Sequence, residues 1–111
     1  MAHVYKNSKV DLTTTNATAL ITVAEKSTII IKSIIVCEDS DNADSISLTI
    51  VNGDDTFQFL KDAAIGAKAT IQGMGGHNAT LVLTESDVLK ATAATANRLH
   101  VITSYLEITW S

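Results

Sequence analysis

The residues of this chain that could do chemistry are few and scattered. Cysteine occurs once, at Cys37, and histidine three times, at His3, His77 and His100. A Cys37–His–Asp arrangement would make a nucleophile, because an imidazole oriented by a carboxylate can take the thiol proton. No local signature accompanies it, and Cys37 stands in an Ile/Val run where it reads as a small buried hydrophobe. The histidines fall in a terminus, a loop and a strand without metal-ligand spacing, so they are expected to be structural or solvated. Paired carboxylates for acid–base work would have to come from Glu38, Asp39, Asp41, Asp44, Asp54, Asp55, Glu85 or Asp87. All stand in apparent turns, where acidic residues ordinarily cap and solvate loops.

Residues 38–44, Glu38-Asp39-Ser40-Asp41-Asn42-Ala43-Asp44, look superficially like a calcium loop. Started at Asp39, an EF-hand would need Gly where Asp44 stands and Glu where Ile50 stands. A solvated turn is the expectation, with a weak loop-type calcium site as the alternative. Gly73-Met74-Gly75-Gly76 lacks the Lys and Ser/Thr of a phosphate loop and reads as a mobile surface loop. Asn16-Ala17-Thr18 and Asn78-Ala79-Thr80 match the glycosylation pattern, a chance event in a Thr-rich chain. These residues therefore predict no enzyme, no metal and no cofactor.

The elements around these residues carry more information. Period-two alternation dominates. In Ser45-Ile46-Ser47-Leu48-Thr49-Ile50 the apolar residues share one face and the hydroxyls the other, and Asn52-Gly53 follows as a hairpin signal of the type I′ kind. Thr56-Phe57-Gln58-Phe59 alternates again; Ala19, Ile21 and Val23 alternate with Leu20 and Thr22 before a turn at Glu25-Lys26. A long last strand from about Leu99 gathers Ile102, Leu106, Ile108 and Trp110 on one face. With Val4 to Leu12, Thr28 to Cys37, Ala69 to Gln72 and Thr80 to Thr84, about eight strands emerge, separated by Asp, Asn, Gly and Ser. The chain has no Pro, so its turns depend on Gly, Asn and Asp.

The pattern predicts an all-β fold, a single antiparallel β-sandwich over residues 1–111, with the jelly roll among the arrangements it allows. Residues 1–12 form an N-terminal arm or an edge strand. Two segments are ambiguous. Residues 86–96 fit a capped Ala-rich helix or a strand with Leu89, Ala91 and Ala93 inward, and the strand is favoured by its neighbours. Asp62-Ala63-Ala64-Ile65 could be a helical turn.

The Thr28–Val36 segment is apolar on both faces: Ile29, Ile31 and Ile35 on one, Ile30, Ile34 and Val36 on the other. A strand of that kind needs cover on both sides. A loop or the N-terminal arm could supply it, and so could a subunit interface, for which outward Leu20, Val82 and Val88 are modest support. Trp110, Tyr5 and Tyr105 carry polar handles, but 5% aromatic content is thin for a carbohydrate platform. Tyr5, Ile30, Ile34, Val36, Tyr105 and Trp110 are the candidate interface residues.

Composition narrows the class further. The 111 residues are 46% hydrophobic and 18% charged, with a net charge of −4 and no basic cluster. Disorder and nucleic-acid binding through a basic patch are not expected. No apolar run approaches the 18 residues of a helical membrane span, and the polar N-terminus suggests no signal peptide. Apolar content is high for so small a domain, as though a partner hides part of it.

Two blocks together resemble a known family. Val4-Tyr5-Lys6-Asn7-Ser8-Lys9-Val10-Asp11-Leu12-Thr13-Thr14-Thr15-Asn16-Ala17-Thr18 leads into Ile31-Lys32-Ser33-Ile34-Ile35-Val36. Later, Val88-Leu89-Lys90-Ala91-Thr92-Ala93 precedes Ala96-Asn97-Arg98-Leu99-His100-Val101 and Ser104-Tyr105-Leu106-Glu107-Ile108. The sequence resembles small virion structural proteins of tailed bacteriophages, among them β-sandwich capsid cement or decoration proteins. The resemblance implies a virion component on the capsid exterior, made in the host cytoplasm. Its partners would be the major capsid protein and copies of itself, a homotrimer being favoured. A tail-associated or head–tail connector protein and a carbohydrate-binding module of a tail fibre or spike are the alternatives.

Overall fold

In the computed structural model, residues 2–74 and 80–110 are described. Among them the chain forms nine strands and no helix: β1 Ala2–Leu12, β2 Thr18–Thr22, β3 Ser27–Glu38, β4 Asp44–Asn52, β5 Asp55–Ile65, β6 Thr70–Gln72, β7 Leu81–Leu83, β8 Asp87–Ala93 and β9 Leu99–Thr109. One sheet runs β1-β9-β3, with β6 and β7 both on the free side of β3; the other runs β2-β8-β4-β5. β6 pairs with Ile35–Cys37 and β7 with Ile29–Ile31, so together they are one interrupted edge strand. The pairs β1–β9, β2–β8, β3–β6/β7 and β4–β5 nest inside one another like a long hairpin rolled up. That winding is the jelly roll.

Local sequence explains most of the joints. Asn52 pairs with Asp55 across a two-residue loop in which Gly53 has a φ of 60° and Asp54 is not left-handed. A type I′ turn needs both residues left-handed, so this hairpin follows the II′ pattern, with Gly first. Residues 87–93 are a strand with Leu89, Ala91 and Ala93 buried, as the neighbouring strands favour. Asp62-Ala63-Ala64-Ile65 is not a helical turn: it completes β5, with Asp62 left-handed at 48°. There the Asp62 N–H donates to Ser47 Oγ at 3.0 Å, closing a kinked stretch of β5 over β4.

The core lies between the sheets and includes Leu12, Ile21, Ile29, Ile31, Leu48, Ile65, Leu89, Leu99 and Val101. β3 crosses it with a break in phase. Ile31 lies opposite Tyr105 and Ser33 opposite Ser104, so Lys32 is an extra residue, a β-bulge. Before it the inward residues are Ile29 and Ile31; after it they are Ile34, Val36 and Glu38. The edge strand stitches the bulge, since the Ile34 N–H donates to Gln72 Oε1 (2.8 Å) and the Gly73 N–H to the Ile34 carbonyl (2.6 Å). A similar shift in β2 buries both Leu20 and Ile21, so Leu20 does not point outward as expected.

Gly73 is therefore buried and packed, where a mobile loop was expected; Gly75 and Gly76 lie outside the described residues. A Cβ on Gly73 would lie 2.7 Å from Leu48 Cδ1 and 3.2 Å from Ile34 Cβ. The branched Ile34 cannot rotate away from a contact at its own Cβ. Gly73→Ala is expected to lower stability by about 1–3 kcal/mol, measured by chemical denaturation. An unchanged midpoint would mean that the two sheets are less tightly packed at the bulge.

Candidate interaction surface

The outer face of the first sheet is built by cross-strand registry. Tyr5 lies opposite Leu106, Leu106 opposite Ile30, and Ile30 opposite Val82. This makes one apolar row across β1, β9, β3 and β7, with Tyr5 75% and Val82 54% exposed. A second row, Lys9, Ile102, Ile35 and Gln72, lies beyond the bulge, and both isoleucines are exposed. Between them run the small polar residues Asn7, Ser104 and Ser33. Asn7 and Ser104 lie in a shallow depression of about 420 Å³ that Tyr5 and Lys32 also line. Neighbouring strands are about 4.8 Å apart, so side chains along a row touch and form one surface.

At the far end of the sheet, polar groups take over. His100 sits between two carboxylates, its Nε2 3.2 Å from Asp39 Oδ2 and 3.6 Å from Asp11 Oδ1. Cys37 lies opposite His100 and is half-buried, less than expected; its thiol donates to the Glu38 carbonyl at 3.8 Å. The thiol is thus turned toward backbone. Among the described residues, no group of three or more His, Cys, Asp or Glu side chains is arranged to hold a metal ion. The carboxylates of residues 38–44 are engaged otherwise. Asp44 Oδ2 accepts the Thr95 N–H, and Asp41 faces Lys68 Nζ at 3.6 Å.

Glu38 departs most from a solvated turn. Its side chain is fully buried and accepts the Lys68 N–H at 3.0 Å, the Ser40 N–H at 2.8 Å and the Ser40 hydroxyl. Burial pushes its carboxyl pKa up, but the Lys68 and Ser40 donors, with the Asn42 N–H, outweigh that and hold it at about 2. One ionised carboxylate thereby ties the β3–β4 loop to the β5–β6 turn.

The structure separates the six predicted interface residues. Tyr5 and Ile30 lie in the outer apolar row. Ile34 and Val36 do not: both are 0% exposed, because the Lys32 bulge turns them into the core. Tyr105 faces the other side of β9 and packs against the core. Trp110 is exposed just past the end of β9, its backbone N–H donating to the Lys26 carbonyl at 2.9 Å. Leu106 and Val82 complete the row; Val82 was expected to point outward, but its alignment with Leu106 and Ile30 follows only from the strand pairing. Exposed Phe57 and Phe59 on β5 were not anticipated as surface residues. His77 and the Asn78-Ala79 pair lie outside the described residues.

No family model matches the chain, and no curated protein sequence matches it. Solved structures share its fold. A protein of the Bacillus endospore appendages, a novel family of disulfide-linked pili, is similar over 98% of this chain and 89% of its own, with a TM-score of 0.53 and 14% identity. A protein of the acid-stable capsid of Helicobacter pylori bacteriophage KHP30 is similar over 99% of this chain and 95% of its own, with a TM-score of 0.50 and 10% identity. At these identities the likeness is one of architecture: a jelly roll of nearly the same extent.

Two experiments follow. Ile34→Asp buries a charge in the core and is expected to prevent folding, whereas Ile30→Asp, half-buried on the outer row, leaves a folded chain by circular dichroism; two equally folded variants would contradict the bulged register. Glu38 is ionised in the folded state down to about pH 2, against an ordinary value of 4.5. Its stabilisation is present above pH 4.5 and is lost as pH falls through about 2. Glu38→Gln is expected to lower the urea midpoint at neutral pH and to flatten its pH dependence between 4.5 and 2. Parallel curves for the two proteins would contradict this.

Proposed function

We propose that this chain is a structural protein of a tailed-bacteriophage virion, a capsid cement or decoration protein on the outside of the major capsid lattice. The observation that carries the reading is the apolar row Tyr5–Leu106–Ile30–Val82 on a sheet face that the described residues leave exposed. Burying a large apolar side chain contributes about 1.5–3 kcal/mol. A row of four, even partly exposed beforehand, can supply several kcal/mol to an association. Repeated over a lattice, that modest energy per contact multiplies through avidity. The sequence resemblance points the same way, and the fold is one that a phage capsid chain also uses.

The role asks for a stiff scaffold and a contact surface, with no catalytic step. Stiffness has a source in the nested strand pairs and in Glu38, which pins two loops at one end. At the other end Asp87 accepts from the Thr84 N–H and the Asn52 amide, joining the β7–β8 turn to the β4–β5 hairpin. Burial pushes the Asp87 carboxyl pKa up, but these donors together hold it below its usual value. In the bound state the first sheet's outer face lies against the shell and the second sheet faces outward.

Mass spectrometry of purified virions, fractionated into capsids and tails, tests the reading. The chain is expected in the capsid fraction, and Ile30→Asp combined with Val82→Asp is expected to abolish rebinding to stripped capsids while the variant stays folded. Absence from virions, recovery with tails alone, or undiminished rebinding would overturn it.

A further inference from the structure

The sandwich has two long edge strands, β1 and β5, and they differ in how they are protected. β5 is kinked: its pairing with β4 shifts register twice and Asp62 is left-handed. Bulges of this kind spoil an edge as a template for another strand. β1 has no such protection. It pairs with β9 through eleven consecutive residues without a shift, and Ala2–Asn7 are all exposed. Outside its pairing with β9, the backbone hydrogen bond that reaches β1 is from the Asn97 N–H to the Leu12 carbonyl. From Ala2 to Asp11 the open side of β1 is a straight, unpaired edge among the described residues.

We propose that β1 pairs antiparallel with β1 of a second copy, around a two-fold axis at Asn7. The occupant follows from the strand's own residues. Centred on Asn7, the pairing sets His3 opposite Asp11, Tyr5 opposite Lys9 and Asn7 opposite Asn7 on the outer face. On the inner face it sets Val4 opposite Val10 and Lys6 opposite Ser8. Each end closes on a His–Asp pair, Lys9 meets Tyr5 and valine meets valine, while Lys6 keeps its ion pair with Glu107 at 2.7 Å. Neighbouring registers that keep the faces matched are worse. Centring on Lys6 opposes Lys6 to Lys6 and His3 to Lys9. Centring on Ser8 opposes the Lys6 charge to Val10 and draws in Leu12, whose carbonyl is already engaged.

The pairing fuses the two first sheets into one continuous sheet. It brings the two Tyr5–Leu106–Ile30–Val82 rows onto one side and roughly doubles the apolar surface. The contact is two-fold, where the sequence resemblance favours a trimer. It stands on the strand's register alone, so it can hold or fail independently of the virion role.

Disulfide trapping of the full chain in a Cys37→Ser background tests the register. Asn7→Cys places two thiols opposite one another, within the roughly 4.4–6.8 Å Cα separation that a disulfide requires. It is expected to cross-link almost fully under mild oxidation. Tyr5→Cys and Lys9→Cys, each alone, stand about 13 Å from their symmetry mates and are expected to stay unlinked, while a mixture of the two cross-links. Sedimentation velocity gives a second readout. His3→Asp sets like charges at both ends and is expected to weaken self-association about tenfold; adding Asp11→Lys restores it. A wild-type chain that stays monomeric at millimolar concentration, or no cross-link at Asn7, would overturn the proposal. So would linking at Tyr5 alone as efficient as at Asn7, or a charge swap that fails to rescue.

Discussion

One inserted residue, Lys32, governs the rest of the molecule. A strand's side chains alternate with a strict period of two, so an extra residue in mid-strand exchanges the two faces for everything beyond it. Without the bulge, Ser33, Ile35 and Cys37 would fill the core while Ile34, Val36 and Glu38 faced outward. With it, Ile34 packs beside Leu48 and Gly73, Val36 is buried in the core, and Glu38 enters the interior where the Lys68 and Ser40 donors hold it. The outer face receives Ile30 and Ile35 with the polar Lys32 and Ser33 between them, which divides the apolar surface into two rows. The break between β6 and β7 falls beside the same place, where Gln72 and Gly73 bond to Ile34.

The molecule therefore has a polar end and an apolar face. At the end that holds Glu38, His100 and Asp39, charged groups are matched by N–H donors or by one another, and loops are tied down. Along the outer face, large apolar side chains remain in contact with solvent. In a chain with 18% charged residues this is where the apolar surplus resides. Thr103 is the converse case inside: its hydroxyl, opposite Ile34 across β9 and β3, is buried with no hydrogen-bond partner among the described residues. A buried hydroxyl of that kind detracts from stability.

Period-two alternation made the sandwich legible, and with it the hairpin at Asn52–Asp55, the strand at residues 87–93 and the shared face of Ile102, Leu106 and Ile108 on β9. Those signals are local. The β3 bulge is not, because it is decided by which residue of β9 each residue of β3 meets and by a Gln72 side chain 38 positions away. Ile34 and Val36 were consequently grouped with Ile30, although they are buried and only Ile30 and Tyr5 lie on the outer face. Glu38 and Gly73 looked like loop residues for the same reason. Their burial follows from the phase change and from the fold of the edge strand, and their types alone signal turns. Lys32-Ser33, the polar pair interrupting an isoleucine run, is the one local trace of the bulge.

The outer face of β1-β9-β3-β7 is the proposed surface by which this protein is held in an assembly. A cryo-EM map of the virion at side-chain resolution tests it most directly. Density for this jelly roll is expected on the capsid, with Tyr5, Leu106, Ile30 and Val82 buried against a neighbouring subunit. A map in which that face points into solvent while the β2-β8-β4-β5 sheet makes the contact would contradict it.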